Sequence, residues 1–498
     1  MINFSRRGFL AAGAATLAYA HIPQFAFAQA AAPIQLTAGR RTLDIGGRAA
    51  SVLGLIGPGG RPGVMLDPGQ RFAVDLTNDL DVETIIHWHG QIPPNVQDGV
   101  PDAPMAALKP GEVRSYDFAP SAGTHWMHSH IPIQEMQMLA APLIVRRPED
   151  IAADRQEVVM FLHDFSFRPA EEVLAEIVSS AGHGDMGEAN AMSGMDHGGH
   201  GSMPMAQMPG AGQGGHDMAG MRGMDSMQMD LNDFDFDAYL ANDRTLDDPD
   251  TIPVEANGRV LLRVINGAAA TSFWIDSGDL QGRLVAVDGQ PIEPIPGNRF
   301  GLSMGQRLDL ELELPDTGAW PVLALREGAR ERTGLILATP GAQVRRIDSL
   351  AEADAPAFDI GMEQESRLRA VTGLADRGAI RPIDVMLGGQ MQPYVWTIDG
   401  KTWGEHLPIS ARSGDRVEIR FHNMSMMGHP MHLHGHHFQV VEIGGRRMGG
   451  AMRDTLYIPP MTMATIAVDA GEAARWMLHC HHMPHLSTGM MTEFVVAA

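Results

Sequence analysis

Three segments of the chain alternate apolar and polar residues with a period of two. They are residues 69–78, 258–266 and 414–423, and their apolar positions are Phe72, Val74 and Leu76, then Val260, Leu262 and Val264, then Val417, Ile419 and Phe421. Alternation of this kind places the apolar side chains on one face of an extended strand. Each strand is predicted to bury that face against a second sheet, and the repetition predicts β-sandwich domains in tandem.

The length of the chain agrees with this repetition. A chain of 498 residues is too long for one hydrophobic core and suggests about three domains. We therefore predict an all-β protein of three tandem sandwiches. The predicted segments are an export signal over 1–28 and domains over 29–148, 149–345 and 346–498, the second of which carries an insertion over 183–229.

A pair of histidines separates the two outer domains from the middle one. His87-Trp88-His89-Gly90 begins nine residues after Asn78, and His432-Leu433-His434-Gly435 begins nine residues after Asn423. No such pair follows Asn266. The outer domains therefore share a local feature that the middle domain lacks.

A second motif strengthens the likeness between the outer domains. Trp126-Met127-His128-Ser129-His130 matches Trp476-Met477-Leu478-His479-Cys480-His481, with Ser129 in the place of Cys480. The outer domains are thus interpreted as duplicates of which only one keeps the thiol.

The first residues of the chain have the features of an export signal. Arg6-Arg7 precedes an apolar stretch near residues 10–20, and Ala26-Phe27-Ala28 is typical of a cleavage site. This arrangement resembles a twin-arginine signal, which predicts export to the periplasm. His21 and Pro23 end the apolar run before the roughly 18 residues that a membrane span needs, so no stable membrane insertion is expected.

Composition adds two constraints. The 37 Lys and Arg residues against 60 Asp and Glu give a net charge of -23, which argues against a nucleic-acid partner and favours small cations. A single cysteine, Cys480, rules out an internal disulfide, although an exported protein could form one. Cys480 therefore needs another explanation, and the oligomeric state stays open.

Metal ligation explains the thiol and its flanking residues. On an extended chain, residues i and i+2 point to one side and i+1 to the other, so His479 and His481 reach one site and Cys480 another. A thiolate with two imidazoles and a distant thioether is the donor set of a type 1, or blue, copper. The candidates for that set are His429, Cys480, His485 and Met490.

Eight further histidines form four pairs, two in each outer domain. They are His87 and His89, His128 and His130, His432 and His434, and His479 and His481. Neutral imidazole suits copper, and eight imidazoles are enough to hold three copper ions between the outer domains. The peptide chain at Cys480 would then link the two groups of metals directly.

The four motifs together resemble the multicopper oxidase family, which includes laccases, ascorbate oxidase, bacterial cuprous oxidases and copper-resistance proteins. The resemblance covers most of the predicted mature chain and implies three cupredoxin-like Greek-key domains that couple one-electron oxidation of a substrate to reduction of O2 to water. It also implies four copper ions: type 1 at the set named above, type 2 at His87 and His432, and a type 3 pair at His89, His128, His130, His434, His479 and His481.

The resemblance implies two carboxylates that relay protons, and only one of them is matched by a residue of this sequence. Asp98, before Gly99, takes the place of the family's acidic residue near the cluster, where it would relay protons for oxygen reduction; an ordinary turn aspartate is the alternative. The other catalytic residues that the resemblance implies, Cys480, His479 and His481, would carry electrons between the copper sites. His125 stands where the family commonly has an aromatic residue. His482-Met483-Pro484 replaces the apolar and sometimes acidic residues of the last motif, so the second relay carboxylate stays unplaced.

The insertion points to a substrate. Residues 183–229 are rich in Met, Gly, His and Asp, a composition that builds no core. Thioethers select Cu(I), and Met195-Asp196-His197-Gly198 resembles the Met-rich repeats of copper-resistance oxidases. We therefore expect oxidation of Cu(I) to Cu(II) in copper tolerance, with further Cu(I) bound by the insertion. The alternative for the insertion is a bland Met-rich linker. The alternatives for the whole protein are a laccase acting on phenols, an oxidase of Fe(II) and a periplasmic copper-binding protein.

Overall fold

The computed structural model describes residues 32–180, 231–377 and 382–498. Within these ranges the strands build six sheets, which pack in pairs around three hydrophobic cores. The prediction of an all-β chain of three sandwiches is confirmed. The predicted signal over 1–28 and the insertion over 183–229 lie outside the described residues, and both stay predictions, as do the exact domain boundaries.

The first sandwich packs two four-stranded sheets. One contains, in spatial order, β2 (Arg48–Ile56), β1 (Ile34–Ile45), β4 (Phe72–Asn78) and β6 (Val113–Phe118). The other contains β3 (Val64–Leu66), β8 (Ala140–Val145), β7 (Gly123–Ser129) and β5 (Ile86–His87). Phe72, Val74 and Leu76 are fully buried between them, as the alternation predicted.

The second sandwich packs a six-stranded sheet on a five-stranded sheet. Its larger sheet contains β10 (Ala238–Ala241), β9 (Gln156–Phe165), β12 (Arg259–Asn266), β17 (Arg307–Glu313), β14 (Gln281–Val287) and β15 (Gln290–Pro296). Its smaller sheet contains β11 (Thr251–Pro253), β19 (Arg332–Ala338), β18 (Ala319–Arg326), β13 (Phe273–Asp276) and β16 (Arg299–Leu302).

The third sandwich carries most of the histidine motifs. Its larger sheet contains β21 (Tyr394–Ile398), β20 (Ile383–Met391), β23 (Arg416–Asn423), β29 (Met463–Asp469), β25 (Phe438–Ile443) and β26 (Arg446–Arg447), with β27 (Met452–Arg453) also paired to β25. Its smaller sheet contains β22 (Ile409–Arg412), β31 (Met491–Ala497), β30 (Arg475–Cys480), β24 (His429–Leu433) and β28 (Thr455–Ile458).

Helices are few and short in the described residues. They are α1 (Pro132–Met136), α2 (Pro148–Ala152), α3 (Ala170–Ser180), α4 (Glu363–Arg367) and α5 (Met483–Ser487), with 3-10 turns at Pro58–Gly60, Asn95–Gln97 and Trp403–Glu405. A search of these residues finds no helix with the length and apolar character that a membrane crossing requires.

Each of the three repeated strands ends at an asparagine whose side chain makes the same kind of hydrogen bonds. The side-chain amides of Asn78 and Asn266 each donate to two backbone carbonyls and that of Asn423 to three, and each side-chain oxygen accepts from the backbone N–H two residues later. All three asparagines are buried. The asparagine that closes each repeat in the sequence therefore fixes the loop that leaves the strand.

One strand departs from the predicted burial pattern. In β12 the polar-side positions are buried as well as Val260, Leu262 and Val264. The reason is that this face packs on the first domain: Arg263 donates to the hydroxyl of Thr124 at 3.0 Å, and Ile265 joins an apolar cluster with Trp126 of β7. The alternation identified the strand correctly but could not show that a neighbouring domain covers its second face.

The register of the strands confirms the duplication of the outer domains. In the first domain His87 pairs with His128, and Ile86 with Ser129. In the third, His432 pairs with His479, and Met431 with Cys480. The two sets occupy equivalent places in their sheets, so each domain presents its histidine pairs from two adjacent strands.

Candidate metal centre

A histidine, a cysteine and a second histidine converge in the core of the third domain. Sγ of Cys480 lies 3.8 Å from Nδ1 of His429 and 3.6 Å from Nδ1 of His485, and the two Nδ1 atoms are 3.2 Å apart. All three side chains are fully buried. Strand β24 supplies His429, the end of β30 supplies Cys480, and helix α5 supplies His485, so three elements fix the three donor atoms.

The surroundings of this group keep its imidazoles neutral. Burial lowers the pKa of His429 to about 3 and lowers the pKa of His485 well below its ordinary value, with further contributions from neighbouring histidines. Burial also raises the pKa of the Cys480 thiol. Met490 is fully buried beside them, and its carbonyl accepts a hydrogen bond from the backbone N–H of Cys480. Neutral imidazole is the form that binds a metal, and a bound metal converts a thiol to thiolate.

The first domain has polar residues where the third has this group. The equivalent positions, found by counting from the paired histidines, are Thr84, Ser129, Gln134 and Leu139. The hydroxyls of Thr84 and Ser129 both donate to the side-chain oxygen of Gln134, at 2.7 Å and 2.8 Å. A closed hydrogen-bond network thus replaces the soft donors, which explains in structural terms why only one outer domain keeps the thiol.

Eight histidines form a second group at the junction of the first and third domains. Three sets of three have their candidate donor atoms within 4.8 Å of one another: His87, His89 and His432; His89, His128 and His481; His130, His434 and His479. Every set takes residues from both domains. Burial is the main cause that lowers the pKa of seven of them, His479 to about 3 and the others well below the ordinary value: His89, His128, His130, His432, His434 and His481.

The hydrogen bonds outside this group determine which ring nitrogens face inward. Nδ1 of His87 donates to the carbonyl of Asp98 at 2.8 Å, and Nδ1 of His432 donates to the carbonyl of Asp454 at 2.9 Å. In a neutral imidazole the other nitrogen then carries a lone pair. Yet Nε2 of His87 lies 3.3 Å from Nε2 of His432. Two lone pairs at this distance repel each other unless a cation lies between them.

The same conflict occurs in a second pair. Nδ1 of His434 donates to a carboxylate oxygen of Asp98 at 2.8 Å, and Nδ1 of His479 donates to the carbonyl of Cys480 at 3.0 Å. Their Nε2 atoms are 3.1 Å apart. Buried nitrogens of four further rings have no hydrogen-bond partner, among them Nδ1 of His89 and Nε2 of His128. The residues present therefore fit a cluster of metal ions.

The second domain also contributes to this group, although it supplies no histidine to it. Nε2 of His89 donates to Asp454 at 3.1 Å, which leaves Nδ1 as the inward atom of His89. Asp454 pairs with Arg307, a fully buried residue of β17. A cation of the middle domain thus holds the carboxylate that orients a histidine of the first.

Asp98 contacts the group at two points. Its carbonyl accepts from His87, and its Oδ2 accepts from His434, whereas Oδ1 has no hydrogen-bond partner. Gly99 has a φ of +87°, and a Cβ there would lie 1.9 Å from the carbonyl oxygen of Ile86. Only glycine lets this turn pass so close to β5, and the turn brings Asp98 against both histidines.

Glu135 is a second buried carboxylate that the motif patterns did not predict. It lies on α1, with Oε2 2.7 Å from Nδ1 of His128 and Oε1 3.7 Å from Nδ1 of His481. Burial raises the pKa of Glu135 well above its ordinary value. Glu135 stands five residues after His130, whereas the family places its acidic residue after the last histidine motif. The motif pattern therefore does not point to Glu135, and its contact with both domains is seen only in the folded chain.

A third buried carboxylate lies on the outer side of His485. Oδ2 of Asp233 accepts a hydrogen bond from Tyr394 and lies 3.5 Å from Nε2 of His482 and 3.8 Å from Nε2 of His485. Burial raises the pKa of Asp233 to about 6 and lowers that of His482 to about 3. Oδ1 of Asp233, Nδ1 of His482 and Nε2 of His485 have no hydrogen-bond partner.

Comparison with known proteins gives one answer throughout. Three family models, each described as multicopper oxidase, match residues 41–150, 216–339 and 379–498. The multicopper oxidase MmcO of Mycobacterium tuberculosis is 28% identical over 99% of this chain and 96% of its own length. Copper resistance protein A of Escherichia coli is 24% identical over 92% and 91%.

The fold gives the same result. A crystal structure of a multicopper oxidase from Pseudomonas thermotolerans superposes with a TM-score of 0.66 at 23% identity, covering 93% of this chain and 98% of that one. The three sandwiches are therefore cupredoxin-like domains, as the sequence predicted. With family models over most of its length and donor groups that fit copper, the chain belongs to the multicopper oxidase family and is a copper-dependent oxidoreductase.

Proposed function

We propose that this protein oxidises Cu(I) to Cu(II) and uses the electrons to reduce O2 to water, with four copper ions held by the two donor groups. Type 1 copper is assigned to His429, Cys480, His485 and Met490, and type 2 copper to His87 and His432. The type 3 pair is assigned to His89, His128, His130, His434, His479 and His481. When bound, these ions supply one-electron oxidation of substrate at the first group and reduction of O2 at the second.

The chain itself connects the two groups. On β30 the side chain of Cys480 enters the core of the third domain, while His479 and His481 on either side join the cluster between domains. The two donor groups are thus separated by single peptide units. This adjacency supports the assignment of Cys480, His479 and His481 as the residues that couple substrate oxidation to O2 reduction.

Asp98 is proposed as the proton donor for this reduction. Its contacts with His87 and His434, and an Oδ1 that has no hydrogen-bond partner, place a carboxylate at the edge of the cluster. A carboxylate in this position would take up protons from water one at a time and pass each of them on for the reduction of O2 to water.

The contact between Asp233 and His485 carries the proposal for Cu(I). Asp233 offers a carboxylate, and His482 offers an imidazole, on the outer side of His485, and each has an atom without a partner. These donors suit a small cation, and the chain's net charge of -23 favours its approach. Asp233 also lies four residues after Met229, the last methionine of the insertion that is proposed to collect Cu(I).

A laccase acting on phenols is the second candidate. It would need an open apolar groove that brings the ring of the substrate to His485. His485 is fully buried, with Asp233 on its outer side and the ring of Tyr394 6.1 Å from its own. The carboxylate of Asp233 at this position is a donor for a metal ion, whereas it offers an aromatic ring no apolar contact. Storage of copper without turnover would leave the second donor group without a purpose.

Oxygen uptake tests the proposal. Copper-loaded protein is supplied with Cu(I), Fe(II) or a phenolic dye, and Asp233→Asn is compared with the unchanged chain. We expect Cu(I) to give the highest kcat/KM, and the variant to lose about tenfold with Cu(I) because the charged donor is removed. Equal losses with Cu(I) and the dye, or a higher kcat/KM for the dye in the unchanged chain, would overturn it.

The insertion is tested in the same assay. Removal of residues 186–229 is expected to lower the rate with Cu(I) and leave the rate with the dye unchanged, because the thioethers bind only the soft cation. An equal effect on both substrates would contradict the proposed delivery role.

Export through the twin-arginine pathway to the periplasm completes the proposal and is tested by fractionating cells that carry Arg6→Lys and Arg7→Lys.

A further inference from the structure

Exposed methionines are concentrated on one part of the third domain. Among the described residues, five of the six exposed methionines lie there: Met386, Met424, Met426, Met461 and Met463, with Met65 of the first domain as the sixth. A methionine left in water forfeits transfer free energy that burial would provide. Five such residues near one end of a single sheet are therefore an unusual surface that calls for a ligand.

Two of these methionines flank a histidine across three neighbouring strands. In the register of the sheet, His422 of β23 pairs with Met386 of β20 on one side and with Met463 of β29 on the other. Paired residues point to the same face, and adjacent residues on β20 and β23, Val385, Leu387 and Phe421, are buried on the opposite face. Met386, His422 and Met463 thus form a row on the solvent face, which we call the Met–His–Met row.

The spacing of the row suits a metal ion bound from both sides. Neighbouring strands lie about 4.8 Å apart, so the backbones of the two methionines are separated by about 10 Å with the imidazole between them. Methionine has an unbranched side chain with three rotatable bonds, so both thioethers can bend toward the ring. The exposed fractions of Met386 and Met463 are 39% and 43%, so both residues are in part accessible from solvent.

The imidazole of the row is already oriented as a ligand. Nε2 of His422 lies 2.8 Å from a carboxylate oxygen of Asp384 and donates its hydrogen to it. The other nitrogen, Nδ1, then carries the lone pair and has no hydrogen-bond partner among the described residues. A carboxylate that fixes one nitrogen of a histidine while the other binds a metal is the usual arrangement around metal-ligating histidines.

The chemistry of the donors selects the ion. Two thioethers and one imidazole are soft and borderline ligands, which favour Cu(I) over Cu(II), Zn(II) or Mg(II). We propose that Met386, His422 and Met463 form a surface site for Cu(I), separate from the two buried copper groups and from the insertion.

The position of the row relates it to the first donor group. Strand β23 ends at Asn423, and Met424, Ser425 and Met426 follow it. The hydroxyl oxygen of Ser425 lies 2.8 Å from Nε2 of His429. The row therefore stands at the outer end of the loop that touches a ligand of the proposed type 1 copper. A role of the Met–His–Met row in binding Cu(I) as substrate rests on the proposed oxidation of Cu(I). The ability of the row to bind Cu(I) does not depend on that proposal.

Silver(I) tests binding without oxidation, because it shares the soft ligand preference of Cu(I) and is not oxidised under these conditions. Crystals of the copper-loaded full chain are soaked with silver nitrate and examined by anomalous diffraction. We expect a silver ion bounded by Met386, His422 and Met463. Silver found only elsewhere in the molecule would overturn the proposal even if the protein oxidises Cu(I) rapidly.

A solution measurement completes the test. Cu(I) bound by the copper-loaded chain is titrated against a colorimetric Cu(I) chelator for the unchanged protein, for the double variant Met386→Leu with Met463→Leu, and for the control Met65→Leu. Leucine keeps the apolar volume and removes the sulfur. The double variant should bind one Cu(I) fewer per chain, and the control should bind as many as the unchanged protein. Equal uptake by all three would mean silver binding at crystal concentration only and would overturn the proposal.

Discussion

Glu135 is a single residue that holds two histidines of the cluster in place. It contacts His128 of the first domain and His481 of the third, and no other side chain in the described residues contacts Nδ1 of both. A carboxylate in this position fixes Nδ1 as the protonated nitrogen of His128 and leaves Nε2 for the metal. The contact distances carry this role, and the carbonyl of Ser129, which also accepts from Nδ1 of His128 at 3.0 Å, favours the same tautomer.

The variant Glu135→Gln tests this role. The amide keeps the size of the side chain but removes the anionic acceptor, so we expect copper at the type 3 pair to bind 10–100-fold more weakly, as is typical when such an outer ligand is lost. Copper content after dialysis against graded chelator measures the effect, and visible absorption reports the type 1 site, which should be retained. Glu149→Gln, an exposed carboxylate of the same domain, is the control. Identical copper retention in both variants would exclude the role.

Glu327 makes stability depend on pH away from the copper groups. Burial raises the pKa of Glu327 from 4.5 to about 7, against hydrogen bonds from Phe358 and Ser272 that lower it. A carboxyl group with a raised pKa in the folded state contributes its full stability below pH 4.5. That contribution is lost as the pH rises through about 7, because the unfolded chain gives up its proton first.

Glu327→Gln should therefore remove part of the pH dependence. Relative to the variant, the unchanged protein is expected to lose about 3 kcal/mol of unfolding free energy between pH 4.5 and pH 8. Denaturant unfolding of both proteins at several pH values in that range provides the comparison. Parallel curves for the two proteins would show that the side chain titrates normally in the folded state.

Many of the ligand residues were predictable from the sequence, and their partners were not. The histidine motifs and Cys480 are local patterns, and alternation along a strand shows which side chains share a face. The contact of His89 with Asp454 joins residues 365 positions apart, and Asp233 reaches His485 from beyond the insertion. Such pairs are created by the packing of domains, for which the local pattern contains no signal.

Strands and their ends determine the fold at the scale of elements. The three asparagines that close the repeats each satisfy at least two carbonyls and one N–H in a buried loop, so they act as fixed corners of their sandwiches. The repeated segments in the sequence end at these residues, and alternation predicted the strands before them. It missed that β12 is buried on both faces, because that burial depends on the first domain.

Asn266→Ala tests the corner of the second domain. Alanine leaves the carbonyls of Thr271 and Leu302 and the N–H of Ala268 without partners, which at about 1 kcal/mol each should cost about 3 kcal/mol of unfolding free energy. Urea unfolding measures the loss. Asn298→Ala removes an exposed asparagine with one backbone contact and should change stability by less than about 1 kcal/mol. Equal effects would contradict the proposed corner role.

The whole molecule is organised around the junction of its domains. The first and third domains supply the eight histidines, and the second supplies Arg307, which holds Asp454 against His89. The duplicated domains differ where Thr84, Ser129 and Gln134 replace the soft donors, so electrons are expected to enter through the third domain alone. The family and the fold of three sandwiches were predictable from the sequence, whereas the part played by the middle domain at the histidine group was not.

Cys480 is proposed to join two separate copper groups. Copper content, visible absorption and oxygen uptake of Cys480→Ser, compared with the unchanged chain, provide the test. We expect the variant to contain one copper ion fewer per chain, to lose the blue colour of a copper–thiolate bond and to stop consuming O2, while its other coppers stay bound. A variant that remains blue and active would show that Cys480 does not have this role.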